Sequence, residues 1–193
     1  MNIIPLSPEK SEPREERQTL TAEELNLLDT TQVTEEDKAK LPQTLLLDPP
    51  KEIPPQEREN LAQSLMKMTA PQKIRLALVG NLEARNLLIH DANKVIPLAV
   101  MRNPRLSEDE VMLYAQLRSI PEDVFWAISK HKTWIKNYHV KLALVSNPKS
   151  PLSLAIKLLD HLHDRDLQNI SRSKNVSYVL ARSAARLLFK RKG

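Results

Sequence analysis

The chain has 193 residues, enough for one domain or for a domain with a tail, and 27% of them are charged. It has no cysteine and only two glycines, which excludes a disulfide framework, a thiolate metal site and a glycine-rich phosphate loop, and argues against tight hairpins. Charge is divided unevenly: residues 1–70 hold eight Lys and Arg against 14 Asp and Glu, a net of −6, whereas residues 71–193 hold 21 against 10, a net of +11.

The first segment is also proline-rich, with eight of the 14 prolines before Asn60. Low hydrophobicity, charge and proline together leave too little apolar surface to offset the entropy of ordering. Residues 1–55 therefore read as a disordered acidic arm, and residues 56–193 as a basic helical domain. The start, MNIIPLSPEKSEPREER, lacks the basic end and apolar core of a signal peptide. No run approaches the roughly 18 apolar residues of a membrane span, so the expectation is a soluble, cytoplasmic protein. Within the arm, Thr21-Ala-Glu-Glu24 can nucleate a small helix through LNLL. The apolar island QTLLLDPP, Gln43 to Pro50, is either a short docking motif or a helix packing on the first repeat.

Helix starts then follow in order. Thr69-Ala-Pro-Gln72, Ser107-Glu-Asp-Glu110 and Ser119-Ile-Pro-Glu122 have capping-box spacing. Asp91, Asp164 and Asn175 are candidate caps, and Pro97 either opens a helix or kinks one begun at Asp91. Ser150-Pro151 reads as a cap followed by proline at the first helical position. The interiors keep a helical rhythm. Val111, Tyr114, Ala115 and, by spacing, Arg118 share a face, as do Val124, Ala127 and Ile128, then Leu152, Ala155, Ile156 and Leu159, then Val179, Leu180, Ser183 and Leu187.

One phrase recurs: LALVGN at Leu76, LAVMRNP at Leu98, WAISKHK at Trp126, LALVSNP at Leu142 and LQNISRSKN at Leu167. It consists of an apolar helix end, a polar turn and a new helix start. The spacing predicts that Asn81, Asn103 and Asn147 end helices in a left-handed or turn conformation, with Pro104 and Pro148 preventing continuation. No helix covers its own apolar face, so stacking of the units is expected; the two best copies lie 44 residues apart, within the HEAT and armadillo range.

Over Pro71 to Leu188 the chain resembles the HEAT-like and leucine-rich-repeat-variant helical repeat families. More narrowly, KIRLALVGNLEARNLLIHDANKVI, VMRNPRLSEDEV and WIKNYHVKLALVSNPK resemble an uncharacterised bacterial group with the same phrases. The resemblance implies an all-α fold, a short α-solenoid behind the acidic arm, and binding of macromolecules. Irregular spacing and Pro97 depart from the HEAT pattern.

Two sets of residues are candidates for binding. The segment VFWAISKHKTWIKNYHVK, Val124 to Lys141, interleaves Trp126, Trp134 and Tyr138 with lysines, a pattern that suits stacking beside charge contacts; the alternative is that the aromatics are core. Arg102, Arg105, Lys130, Lys132, Lys149, Arg172 and Lys174 occupy equivalent turns, which stacking would align as a basic edge for phosphate or an acidic protein. The alternative is that they only offset helix macrodipoles. FKRKG at the end reads as a solvated basic tail. Histidines and carboxylates lack ligand spacing, and no nucleophile motif occurs, so no metal, cofactor, small-molecule substrate or catalytic residue is expected. The expected function is a non-enzymatic adaptor or scaffold for another protein; the alternative is nucleic-acid binding with the acidic arm as intramolecular competitor.

Overall fold

The structure, a computed structural model, describes residues 33–47 and 55–192. Among the described residues the chain forms twelve α-helices, one 3₁₀ turn and no strand. In order these are α1 (Glu35–Lys40), α2 (Gln43–Leu46), α3 (Pro55–Met66), α4 (Ala70–Val79), α5 (Leu82–Leu88), α6 (Val95–Val100), α7 (Glu108–Gln116), α8 (Glu122–Lys130), the 3₁₀ turn (Trp134–Lys136), α9 (Tyr138–Ser146), α10 (Leu152–Leu159), α11 (Asp164–Arg172) and α12 (Tyr178–Lys192). None is long and apolar enough to cross a membrane. Neighbours in space are close in sequence: α2 lies on α4 and α5, α4 on α6, α6 on α8, α7 on α9, and α10 and α11 on α12.

Two of the expected caps form. The Gln72 side-chain oxygen accepts the Thr69 N–H at 2.9 Å, and Ser107 and Glu110 exchange bonds in both directions. Others do not. Helix α8 starts behind Pro121, and Ser119 Oγ lies 3.0 Å from the His90 ring instead. Helix α10 starts behind Pro151, and the buried Ser150 hydroxyl has no hydrogen-bond partner among the described residues. Asp91 accepts from Lys73 at 2.8 Å, and His163 and Ser177 stand before α11 and α12 where Asp164 and Asn175 were expected. Pro97 sits in the first turn of α6, where its missing N–H breaks no helical bond.

Residues 33–47 correct the expectation of a disordered arm running to residue 55. Leu41, Leu45 and Leu46 are buried in the core, and Asp37 is buried against Arg75, with Arg75 Nε and Nη2 each 2.7 Å from its carboxylate. The segment Gln43–Leu46 is thus a helix packed on the first repeated phrase, and side chains from further along hold three carbonyls besides, while the Asn81 N–H donates to that of Leu45 at 2.8 Å. Asn81 donates to those of Thr44 and Leu47, at 2.8 and 2.6 Å, and Arg105 to that of Leu46 at 3.0 Å. Composition averaged over 55 residues concealed three leucines and one carboxylate with partners distant in sequence. Thr21–Glu24 and Asp48–Pro50 lie outside the described residues.

The repeated asparagine does something other than ending a helix in the left-handed region, since no non-glycine residue among those described has positive φ. Each amide instead reaches to an earlier helix end. Asn81 follows α4 and holds the end of α2. Asn103 follows α6 and donates to the carbonyls of Ala77 and Gly80 on α4, at 2.9 and 3.1 Å. Asn147 follows α9 and donates to those of Ala115 and Leu117 on α7, at 2.9 and 2.7 Å. The other side-chain oxygen accepts the N–H of Ala84, Arg105 or Lys149 and so sets the turn into the next segment. All three side chains are buried. The last carbonyls of a helix have no intrahelical donor, and a buried one left unpaired is costly.

At the first of these turns the backbones crowd. A Cβ on Gly80 would lie 2.5 Å from the Leu76 carbonyl oxygen and 2.6 Å from the Ala84 Cβ, so the position requires glycine for space rather than for φ.

The second device is a capping acid that also receives an arginine. Glu110 bonds its own helix start at Ser107 and takes Arg85 Nε and Nη2 at 2.7 and 2.9 Å, while Arg85 Nη1 donates to the Gly80 carbonyl at 3.1 Å. Asp37 repeats the arrangement with Thr34 and Arg75. Burial would raise both carboxyls, but hydrogen bonds from the arginine and from the capping residue outweigh it and hold both below their ordinary values.

Three outcomes follow from this architecture. Deleting residues 1–47 removes three buried leucines and leaves Arg75 buried without Asp37, so urea unfolding should show a loss of at least about 3–5 kcal/mol; equal stability of the shortened chain would contradict the packing. Asn147→Ala should cost about 1–3 kcal/mol through two carbonyls left unpaired. Asn147→Asp should cost more, because an acceptor would then face acceptors. A carboxyl with a depressed folded pKa stabilises fully above its ordinary value, 3.8 for Asp37 and 4.5 for Glu110, and that contribution is lost as pH falls through the folded pKa. Glu110→Gln should therefore lower stability at neutral pH and flatten its decline below about pH 4.5, measured by unfolding midpoints across pH.

Candidate functional site

Helices α7 and α9 run parallel. Asn137 Nδ2 meets Glu108 Oε2 at 3.3 Å at their starts, and Asn147 ties their ends together. Between them opens a cleft of about 300 Å³. Its lining includes the buried or half-buried Met112, Leu142 and Ala143 and the exposed Gln116, Arg118, His139 and Ser146. Arg118 makes no ion pair among the described residues, and no acidic side chain lines the cleft.

Leu142 is only half-buried and lines this cleft; Val140, Leu144 and Val145 of α9 are the fully buried ones. The cause is visible in YHVKLALVS, which is apolar on several sides because α7 and α10 pack on different faces of α9 and leave a strip between them. Similarly, α10 buries Leu154, Ala155, Leu158 and Leu159, whereas Leu152 and Ile156 are 39% and 38% exposed.

The expected aromatic set is dispersed. Trp134 is buried and stacks on His131 with ring centroids 3.6 Å apart. His131 stands where the other phrases have asparagine, and its ring contact is local, with Trp134 three residues on. Tyr138 is half-buried; its hydroxyl donates to Asp166 and accepts the His163 N–H at 3.2 Å, and its ring lies 4.4 Å from that of His163. Burial and then the bond to Asp166 push its pKa up. Trp126 is half-buried against the core. No ring contact joins the three among the described residues.

Of the basic set, Arg102, Lys130, Lys132, Lys149, Arg172 and Lys174 are exposed and form no ion pair among the described residues. Arg105 is engaged with the Leu46 carbonyl and so helps to seat the N-terminal segment. The tail is only partly a solvated one: Arg191 bonds the carbonyls of Leu162 and Asp160 and the Asp164 carboxylate, each at 2.8 Å, and takes at the end of α10 the place that asparagine has elsewhere. Among the described residues no group of three or more His, Asp or Glu side chains is placed to hold a metal.

The packing of α9 makes a direct comparison possible. Leu144→Ala should cost about 2–5 kcal/mol in chemical unfolding, and Leu142→Ala distinctly less, because its side chain already faces the cleft; equal losses would place Leu142 in the core.

Compared with known proteins, the chain matches no family model, no curated protein and no solved structure.

Proposed function

We propose that the chain is a non-enzymatic adaptor, a short HEAT-like α-solenoid that holds another protein in the cleft between α7 and α9. The observation that carries this reading is a lining that combines the apolar Met112 and Leu142 with a guanidinium, Arg118, that makes no ion pair among the described residues. A concave apolar surface with a few convergent polar groups is the usual form of a binding site. A parallel helix pair held at both ends by asparagine is a preorganised one. The chemistry suits a peptide segment that inserts an apolar side chain and sets a carboxylate against Arg118, with the exposed Lys149 adding the same sign of charge. No catalytic role is assigned: the cleft contains no paired acids and no base oriented on a nucleophile.

The test is affinity capture by the full-length chain in nuclease-treated extract, in parallel with Arg118→Glu and Met112→Lys variants checked for unchanged melting. The wild type should retain a protein partner that both variants lose. A partner retained equally by all three, or lost on nuclease treatment, would overturn the assignment of the cleft.

A further inference from the structure

The whole chain carries a formal charge of +5, yet residues 164–193 alone hold eight Lys and Arg against two Asp, a net of +6. Both acids are already engaged, Asp164 by Arg191 at 2.8 Å and Asp166 by Tyr138. Helix α12, YVLARSAARLLFKRK, contains five cations and no acid. It turns Leu180, Ala184 and Arg191 toward the rest of the molecule. At 100° per residue the opposite side presents Tyr178, Arg182, Ala185 and Phe189 as one stripe, with Arg186 and Lys190 beside it. Tyr178 is 75% and Phe189 82% exposed, and no other aromatic side chain among the described residues falls in the exposed class. None of these side chains has a hydrogen-bond or ion-pair partner among the described residues.

We propose that this outer face of α12 binds single-stranded nucleic acid, with Arg182, Arg186 and Lys190 on phosphates and the rings of Tyr178 and Phe189 stacked on bases. Cations and rings are interleaved here, not segregated. A bilayer-seated helix needs its apolar residues on one side and its cations on the other; here Arg182 lies between the two rings, so inserting them would carry a guanidinium into hydrocarbon. An acidic protein would satisfy the cations but leaves two exposed rings to be matched by separate pockets. A single strand offers a negative charge and a π-face at every residue, and base–aromatic stacking beside phosphate contacts is how such strands are held without sequence preference. Eleven residues of helix separate the rings by about 16 Å, the length of about five stacked nucleotides at 3.4 Å each. This surface is independent of the cleft between α7 and α9 and stands or falls separately from it.

The experiment uses the full-length chain and a fluorescent 12-residue oligothymidylate, followed by anisotropy over a salt series. Binding should weaken as salt rises. Arg182→Ala with Arg186→Ala should reduce affinity at least tenfold and lower the slope of log affinity on log salt by about 1.4, two contacts at 0.7 each. Tyr178→Ala with Phe189→Ala, both on a solvent face, should reduce affinity at least fivefold with the slope unchanged. Lys130→Ala, Lys132→Ala and Lys149→Ala together should leave affinity within twofold. The proposal is overturned if no binding occurs. It is overturned equally if the ring pair has no effect, which would leave only nonspecific charge attraction, or if the three turn lysines matter as much as the arginines. Displacement of the oligonucleotide by phosphatidylserine vesicles that bind the wild type but not the Tyr178/Phe189 variant would assign the face to membrane and overturn it as well.

Discussion

A helix that ends inside a protein leaves carbonyl oxygens with no donor, and water cannot reach them once the next helix is packed on top. In this molecule the side-chain amide of an asparagine from a later helix supplies the donor. One Nδ2 serves two carbonyls, while the Oδ1 of the same residue fixes the turn that follows. A single residue thereby sets the distance between two helices, the direction in which the chain leaves, and the satisfaction of otherwise orphaned groups. Everything else is arranged around those ties. The cleft between α7 and α9 has parallel walls because Asn147 holds their ends, and the N-terminal segment is seated because Asn81 reaches the end of α2.

Charge follows the same economy of shared groups. A buried ion pair stabilises little by itself, because desolvation offsets the attraction, but removal of one member is severe. In both buried pairs here the carboxylate also caps the helix to which it belongs, and the guanidinium approaches from another helix with two parallel bonds. The pair thus sets register: Asp37 locates α1 against α4, and Glu110 locates α7 against α5. Where the phrase lacks asparagine the contacts differ: His131 stacks on Trp134 within the turn after α8, and Arg191 bonds the carbonyls at the end of α10.

These arrangements explain which residues the sequence singled out correctly. Periodicity identifies buried positions well where a helix has one packed face, as in Val111, Tyr114 and Ala115 of α7. It fails for α10, which contacts more than one neighbour, and so it grouped the exposed Leu152 and Ile156 with the buried Ala155 and Leu159. Aromatic residues between lysines in Val124–Lys141 suggested a platform, but Trp134 stacks on His131 three residues before it, and Tyr138 is drawn to His163 and Asp166, 25 and 28 residues further on. Phe189 figured only in the solvated tail FKRKG and Tyr178 in no candidate site, because a helix rich in Leu, Ala and Arg shows no sign in its own sequence of which side the preceding helices will cover.

The sequence alone determined the class of structure. Two glycines, frequent capping residues and a 3.6-residue rhythm admit helices and little else, and a phrase repeated at 44 residues marks a unit that recurs. It also determined the uneven charge that makes one end of the molecule basic. Tertiary structure decided what the repeated asparagine is for, that Asp37, Leu41, Leu45 and Leu46 belong to the core, and that Glu110 faces Arg85. The reason is common to all three. Capping, rhythm and charge are local properties, legible over a few residues, whereas the partners that define these groups lie 23 to 38 residues away and are brought near only when the helices pack.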